Sequence, residues 1–155
     1  MNLDRNDGAN IRSEFSHVVS GVVAASGTDN VYHLGQEIDR FYGGGVFNSA
    51  KIVVAYDVML TAAKKMSMAL DFSDCATSGG SYNTATTLFD GDVEAITAAN
   101  ITKKTWEYDL DLSGYERYIE VGTQVDLNNT STDKCDYGVV VILTGASVVP
   151  CTKAS

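Results

Sequence analysis

The feature that most constrains the fold is an alternation of apolar side chains along several stretches of the chain. Over residues 52–60 every second position is large and apolar: Ile52, Val54, Tyr56, Val58 and Leu60. The same period recurs over residues 66–72, 106–112 and 119–127. A period of two places alternate side chains on opposite faces of a β-strand. These stretches therefore predict strands that bury one face.

A single helix over residues 57–70 is the rival interpretation of part of this region, because Ala, Lys and Met favour helices. Met66, Met68, Leu70 and Phe72, however, alternate with Ser67, Ala69 and Asp71. That alternation favours two strands, over residues 52–60 and 66–72, connected by residues 61–65.

Further strands are expected over residues 17–25, 31–34 and 138–143, with weaker candidates at 86–89 and 93–97 around a turn at Asp90 and Gly91. Residues 138–143 are apolar on both faces, as in a central strand that is covered on both sides. A glycine-rich loop is expected at residues 42–45 and a turn at Ser113 and Gly114. About eight strands with turn signals between them predict an all-β sandwich, in particular a jelly roll.

The domain organisation is expected to be simple. The 155 residues suit one domain, which we assign to residues 13–155 with a short C-terminal tail. Residues 1–12 are polar, without periodicity, and are expected to form an N-terminal arm. The arm has no apolar stretch typical of a secretory signal, and no segment has the length of a membrane helix.

The charge balance disfavours two classes of partner. With 11 Lys and Arg against 20 Asp and Glu, the net charge is −9. An acidic surface repels phosphate backbones and anionic lipids. We therefore expect no nucleic-acid partner and no membrane partner.

One segment has the ligand spacing of a calcium-binding EF-hand loop: Asp109, Asp111, Ser113, Gly114 and Glu120. An EF-hand needs a helix on each side, and here both flanks alternate with period two. The carboxylates are therefore interpreted as solvent-facing residues next to a turn, and no metal or other cofactor is expected.

The sequence also offers no set of catalytic residues. His17 and His33 lie in candidate strands, and neither lies near a serine in a G-x-S-x-G arrangement. The glycines at 43–45 lack the Lys-Ser/Thr that completes a phosphate-binding loop. We therefore expect a protein that is not an enzyme.

Two groups of residues could instead serve contacts between molecules. Cys75, Cys135 and Cys151 form no C-x-x-C pair, so they are either reduced thiols or partners in an intersubunit disulfide. Four aromatic residues surround one predicted hairpin and could pack in the core or an interface, or stack on a sugar ring: Trp106, Tyr108, Tyr115 and Tyr118.

Several short phrases, taken in order, resemble a known group of proteins. They are VYHLG at residues 31–35, AKIVVAY at 50–56, MALDFSD at 68–74, LSGYERYIEV at 112–121 and the apolar strand at 139–143. This order is similar to that of the small jelly-roll cement, or decoration, proteins of tailed-phage heads. The resemblance covers residues 13–146, and none of its phrases is specific alone.

The resemblance implies a structural virion protein, made in the host cytoplasm, that forms homotrimers on the capsid surface and clamps neighbouring major capsid protein subunits. The arm would then lie across a neighbouring subunit and become ordered on binding. If the particle is cross-linked, Cys75, in an expected polar loop over residues 73–84, and Cys151, near the C-terminus, are the expected disulfide partners. Cys135 borders the last strand and suits either core or interface. A collar, neck or tail-surface protein, or a carbohydrate-binding module, remains an alternative.

Overall fold

The computed structural model describes residues 11–42, 45–127 and 132–146. None of these residues is in a helix, so the described part contains no helix that could cross a membrane. The ten strands are β1 (Arg12–Val23), β2 (Tyr32–Leu34), β3 (Ile38–Asp39), β4 (Phe41–Tyr42), β5 (Gly45–Leu60), β6 (Lys65–Cys75), β7 (Thr86–Ala95), β8 (Asn100–Asp111), β9 (Tyr118–Leu127) and β10 (Lys134–Ala146).

The strands form two antiparallel sheets that pack face to face. The first has the order β1-β10-β5-β8, and β4 forms a short hairpin with the start of β5. The second has the order β2-β9-β6-β7, and β3 pairs with β9 beyond β2. If β2 and β3 count as one interrupted strand, the eight long strands follow the strand order of a jelly roll. The predicted fold class is confirmed.

The core lies between the sheets and follows the alternation that the sequence shows. In β5 and β10 the inward residues are buried at every second position. The largest fully buried side chains come from both sheets and from the loops between them: Ile38, Phe47, Ile52, Leu60, Met66, Met68, Leu70, Phe72, Leu112, Ile119, Leu127 and Leu143.

The rival helix over residues 57–70 is wrong. β5 runs to Leu60 and β6 starts at Lys65, and between them the Lys64 amide donates to the Thr61 carbonyl at 3.2 Å. Ala63 has a positive φ of 60°, a left-handed conformation that interrupts a right-handed helix. The alternating pattern therefore outweighed the helix propensity of the individual residues.

Three other local predictions need correction. The strands expected at 86–89 and 93–97 are one strand, β7, because Asp90 and Gly91 pair with Ala69 and Met68 of β6 and form no turn. Cys75 was expected in a loop but ends β6, and the first strand starts at Arg12 rather than at residue 17. Arg12 therefore belongs to a strand and not to the predicted arm. Residues 1–10 of that arm and the C-terminal tail, with Cys151, lie outside the described residues.

The expectation for residues 138–143 was half right. β10 is central, since it pairs with β1 on one side and β5 on the other. Only its inward face is buried, however, and Gly138, Val140 and Ile142 on the outward face are partly exposed. Among the described residues, nothing covers this second apolar face.

Candidate functional site

The outward side of the β1-β10-β5-β8 sheet carries neighbouring apolar side chains. Phe15 pairs with Val140, which pairs with Val53. Val18 pairs with Gly138, which pairs with Ala55, and Ile142 lies in the row on the other side of Val140. We call this surface the apolar face; its residues are Phe15, Val18, Val53, Ala55, Gly138, Val140 and Ile142.

The edge of the apolar face is its most exposed part. The side chains of Phe15 and Val18 on β1 are 52% and 68% exposed, respectively. Contiguous exposed apolar side chains on a soluble domain mark sites of interaction. The position of these residues beside a central strand that is apolar on both sides makes the apolar face the candidate functional site.

A shallow open depression lies within the apolar face. Val18, Ala55 and Gly138 line it, with Asp57 and Lys103 among the residues at its rim. A Cβ atom at Gly138 would have its nearest neighbours at 3.9 Å, which is ordinary contact distance. A Cβ atom at this position would therefore extend into the depression without a clash.

The charged groups on this side of the sheet are largely paired. The Lys51 ammonium lies 3.0 Å from Glu107 and 2.8 Å from Asp109, and Lys103 lies 2.9 Å from Asp57. Hydrogen bonds from Lys51 to the two carboxylates raise the pKa of Lys51. Exposed pairs of this kind add little stability. Asp136, which also lines the depression, accepts a hydrogen bond from the Gly21 amide at 2.7 Å and forms no salt bridge with a described residue.

The outward side of the other sheet has the opposite character. Its described residues on β6, β7 and β9 include one lysine, Lys65, which lies 2.8 Å from Asp92. We call this surface the acidic face, after its five outward carboxylates: Asp71, Asp90, Asp92, Glu120 and Asp126. Desolvation raises the pKa of Glu120, and the neighbouring Glu37 raises it further.

A loop is fastened over one end of the acidic face. The Glu37 carboxylate accepts hydrogen bonds from the Ser78 hydroxyl at 2.5 Å, the Gly79 amide at 2.8 Å and the Tyr82 hydroxyl at 2.9 Å. The first two bonds lower the pKa of Glu37. This loop follows β6, and it explains how Cys75, at an outward position of the sheet, becomes buried.

Both histidines lie between the sheets rather than in a cleft. His17 Nδ1 is 3.0 Å from the Ser16 hydroxyl and His17 Nε2 is 2.7 Å from the Thr123 hydroxyl, which in turn lies 3.0 Å from the Tyr137 hydroxyl. His33 pairs with Thr123 in the β2–β9 ladder. Burial, and secondarily His33, lowers the pKa of His17 to about 4.

This chain of hydroxyls is not the geometry of an activated serine. Ser16 is only 3% exposed, and the second nitrogen of His17 meets a hydroxyl where a nucleophilic site has an orienting carboxylate. His17 instead links β1 to β9 and so ties the two sheets together.

The four predicted aromatic contact residues do not form one surface. Trp106 packs against Phe89 at 4.7 Å between ring centroids and lies 6.0 Å from Tyr108. Tyr115 packs edge-on against Phe72 at 4.8 Å, and Tyr118 lies beneath the Arg117 guanidinium at 5.0 Å. The structure therefore brings together Trp106 and Tyr108 but places Tyr115 and Tyr118 in separate packing environments.

The described cysteines are inside the fold. Cys75 is 3% exposed and Cys135 is 1% exposed, and both are free thiols. The Cys75 thiol donates to the Thr77 carbonyl at 3.0 Å, and burial raises the pKa of Cys135 to about 12. Thiols in these positions cannot reach another subunit without local opening of the fold, which argues against intersubunit disulfides at Cys75 and Cys135.

The residues that have the spacing of an EF-hand loop do not lie together in the structure. Asp109 pairs with Lys51, while Asp111 accepts a hydrogen bond from the Ser113 amide at 2.8 Å. Glu120 lies on the other sheet. Within the ranges that the structure describes, no group of three His, Cys, Asp or Glu residues could hold a metal ion.

Sequence reasoning missed the apolar face as a site, although its signal was present. In the apolar run at residues 138–143, the side chains on both faces of the strand are apolar. The sandwich buries only one of these faces in its core. What could not be read locally is that Phe15, Val18 and Val53 would join this run, because that depends on the pairing of β1 and β5 with β10.

No protein-family model and no curated protein matches the chain. Among solved structures, a chain from the infectious bursal disease virus Gx strain is 8% identical with a TM-score of 0.47, over 92% of this chain and 34% of that one. TmCBM61 in complex with β-1,4-galactotriose is 13% identical with a TM-score of 0.37, over 87% and 88%. The Clostridium thermocellum xylanase 10B CBM22-1–GH10 modules are 13% identical with a TM-score of 0.35, over 95% and 28%.

The chain thus spans about a third of the length of the viral chain that it matches. Likeness at these TM-scores does not establish a shared function. The jelly-roll assignment rests on the strand order of the two sheets.

Proposed function

We propose that this chain is a structural virion protein, a cement or decoration protein that binds the major capsid protein lattice of a tailed-phage head through the apolar face. The observation that carries the proposal is the second face of β10, which no described residue covers and which is flanked by Phe15 and Val18. The resemblance of the sequence phrases to head decoration proteins supplies the partner. The resemblance also implies a homotrimer, an expectation that the two-fold pairing proposed below would replace.

The physical basis of binding is burial of the apolar face against a complementary apolar surface. Complete burial of a Val or Phe side chain contributes about 1.5–3 kcal/mol, and the half-covered Val53, Val140 and Ile142 contribute less. One copy therefore makes a modest contact, part of which is offset by lost rigid-body freedom. Many copies on a repeating lattice would together stabilise the shell.

The acidic face suits the opposite role in this arrangement. Four of its five carboxylates have no lysine or arginine partner among the described residues, and repulsion between such faces would keep decorated particles apart in solution. The apolar face, by contrast, carries no charged side chain of its own, and Lys51 and Lys103 beside it are ion-paired, so its desolvation costs less. The molecule would sit with its apolar face on the shell and its acidic face in the solvent.

The test is binding to purified shells that lack this chain. Sedimentation of the full chain with the shells should decrease at least about tenfold for Gly138→Glu, which places a charge in the depression. Thr87→Glu, on the exposed outward side of β7, is the matched control and should bind like the original protein. Equal binding of both variants would refute the apolar face as the docking surface.

The position on the particle separates the head role from the other virion roles. Immunogold labelling of particles whose genome encodes the chain should mark the head. Label on the collar or tail would replace the head assignment, and absence of the chain from particles would overturn the virion assignment. The carbohydrate-binding alternative predicts glycan binding that Trp106→Ala or Tyr115→Ala abolishes in a folded variant.

A further inference from the structure

The edge strand β8 of the first sheet is more regular than the strands at the other sheet edges. β8 pairs with β5 along its whole length, from Leu60 opposite Asn100 to Ser49 opposite Asp111, without a register shift. The edge strands β1 and β7 carry two register shifts each, and β2 and β3 are only three and two residues long. Bulges and short strands are the usual protection against pairing with another chain. β8 has neither over its twelve residues, and no strand among the described residues pairs with its other edge. The charged side chains of β8, which can also discourage pairing, decide which partner fits this edge.

The free edge of β8 presents backbone groups of its odd-numbered residues. The Leu112 amide donates to the Asn48 carbonyl at 2.9 Å, so the even-numbered residues preceding it bond to β5. The Ile101 amide, consistently, is taken by the Asn100 side chain at 2.8 Å. The amides and carbonyls of Lys103, Thr105 and Glu107 therefore point away from β5, in the plane of the sheet.

The charges along β8 are ordered in a way that makes the strand complementary to itself. Lys103 and Lys104 lie in its first half, and Glu107, Asp109 and Asp111 in its second half. A second β8 running antiparallel brings the basic half of each strand beside the acidic half of the other. Opposite charges directly across an antiparallel pair are stabilising, whereas like charges are destabilising.

The backbone groups allow several registers, and the charges favour one of them. With Thr105 on a two-fold axis, Lys103 would face Glu107 and have one further carboxylate, Asp109, at a diagonal position. With Trp106 on a two-fold axis, Lys103 of one copy lies opposite Asp109 of the other, and Glu107 and Asp111 occupy its two diagonal positions. Odd-numbered residues then face odd-numbered residues, as the free amides and carbonyls require. A shift by two residues toward the C-terminus would instead place Glu107 opposite Glu107.

We propose that the partner of this edge is a second copy of the chain, paired β8 to β8 in this register. The two first sheets would then form one continuous antiparallel sheet. Because odd-numbered side chains point outward in both copies, the two apolar faces would lie on the same side. The dimer would thus present a docking surface twice as large, but the pairing itself does not depend on the proposed function.

Removal of one backbone donor tests the pairing without touching the fold. Thr105 is exposed, and its amide points to the free edge, where proline is tolerated in an edge strand. In sedimentation velocity, the full chain should dimerise to twice its 16.6 kDa mass. Thr105→Pro should raise the dimer dissociation constant at least about tenfold, and the matched Thr105→Val, which keeps the amide, should not.

A charge exchange tests the register. Lys103→Glu should weaken the dimer, because it places a carboxylate opposite Asp109 of the other copy, and adding Asp109→Lys in the same chain should restore it. Trp106 is the only tryptophan, so its fluorescence should shift on dilution of the original protein and not of Thr105→Pro.

Three results would overturn the proposal: a monomer at every concentration, a trimer, or a dimer that Thr105→Pro leaves intact. A three-fold axis cannot pair one strand with its own copy. Circular dichroism and thermal unfolding of each variant distinguish lost pairing from lost folding. Failure of shell binding with an intact dimer would refute the proposed function alone.

Discussion

On the apolar face, the central rows carry Val53, Val140 and Ile142 and the neighbouring charges are paired, whereas the acidic face carries five carboxylates and one lysine. Both faces belong to antiparallel sheets that cover the same core. Only one face of each sheet is needed to stabilise the fold. Packing in the core therefore does not determine the composition of the two outer faces. The difference between the faces reflects their different surroundings outside the molecule.

Substitution of the adjacent residues Val140 and Val141 is expected to give the largest difference in the free energy of unfolding. Val141→Asp should cost at least about 4 kcal/mol of unfolding free energy, because it buries an unpaired carboxylate in the core. Val140→Asp, on the apolar face, should cost less than about 1 kcal/mol and lose shell binding. Urea denaturation followed by circular dichroism measures both, and equal losses would mean that the outer face is covered within the chain.

These two residues also show how far the sequence alone could predict the structure. The alternation over residues 52–60, 66–72, 106–112 and 119–127 correctly predicted strands, because the period of a strand is a local property. It also correctly implied a sandwich. At residues 138–143 both alternating sets of side chains are apolar, so the pattern could not predict which face of the strand is buried in the core.

What local patterns could not predict depends on contacts between distant segments. Asp90 and Gly91 form a common turn dipeptide, yet pairing with β6 keeps them within a strand. Cys75 follows polar residues but is buried by a loop that Glu37, far away in sequence, fastens. The aromatic residues near one hairpin are separated because Trp106 and Tyr118 enter different sheets.

His17, which links the two sheets, gives the second prediction, a dependence of stability on pH. The pKa of His17 is lowered to about 4 in the folded chain, from 6.5. The unfolded chain therefore binds more protons between these values, and stability falls as the pH decreases through this window. We expect a loss of about 2 kcal/mol between pH 7 and 4, after allowance for partial solvent screening.

His17→Gln, which can keep a hydrogen bond to Thr123, is the control for this pH dependence. Its urea midpoint should change less between pH 7 and 4 than that of the original protein. An identical pH dependence in both proteins would assign the effect to carboxylates whose pKa is lowered in the fold, such as Glu37 and Asp39.

A matched pair of glycines gives a smaller effect of opposite sign on the two faces. A Cβ atom at Gly122, on the acidic face, would collide with the Tyr32 ring, whereas at Gly138 it would meet nothing closer than 3.9 Å. Gly122→Ala should therefore destabilise the chain by about 1 kcal/mol. Gly138→Ala should stabilise it by about 0.5 kcal/mol, because alanine has less freedom in the unfolded chain.

Thermal unfolding of these two variants at one pH measures the difference. Tyr32 absorbance or fluorescence should change in Gly122→Ala alone. A stabilised Gly122→Ala would show that the Tyr32 ring moves aside without cost, and the contrast between the glycines would disappear.

The smallest effect concerns charge and compares two exposed aspartates. Asp126, on the acidic face, forms no salt bridge with a described residue and lies in the same row as Asp92, across Ser67, whereas Asp109 lies 2.8 Å from Lys51. At low salt Asp126→Asn should raise Tm by up to about 2 °C, because it relieves repulsion, while Asp109→Asn should leave Tm unchanged or slightly lower. At about 1 M salt, where charges are screened beyond roughly 3 Å, the difference between the variants should vanish. If the difference persisted at high salt, it would have to come from hydrogen bonding at the two sites, and the electrostatic contrast between the faces would not be what separates them.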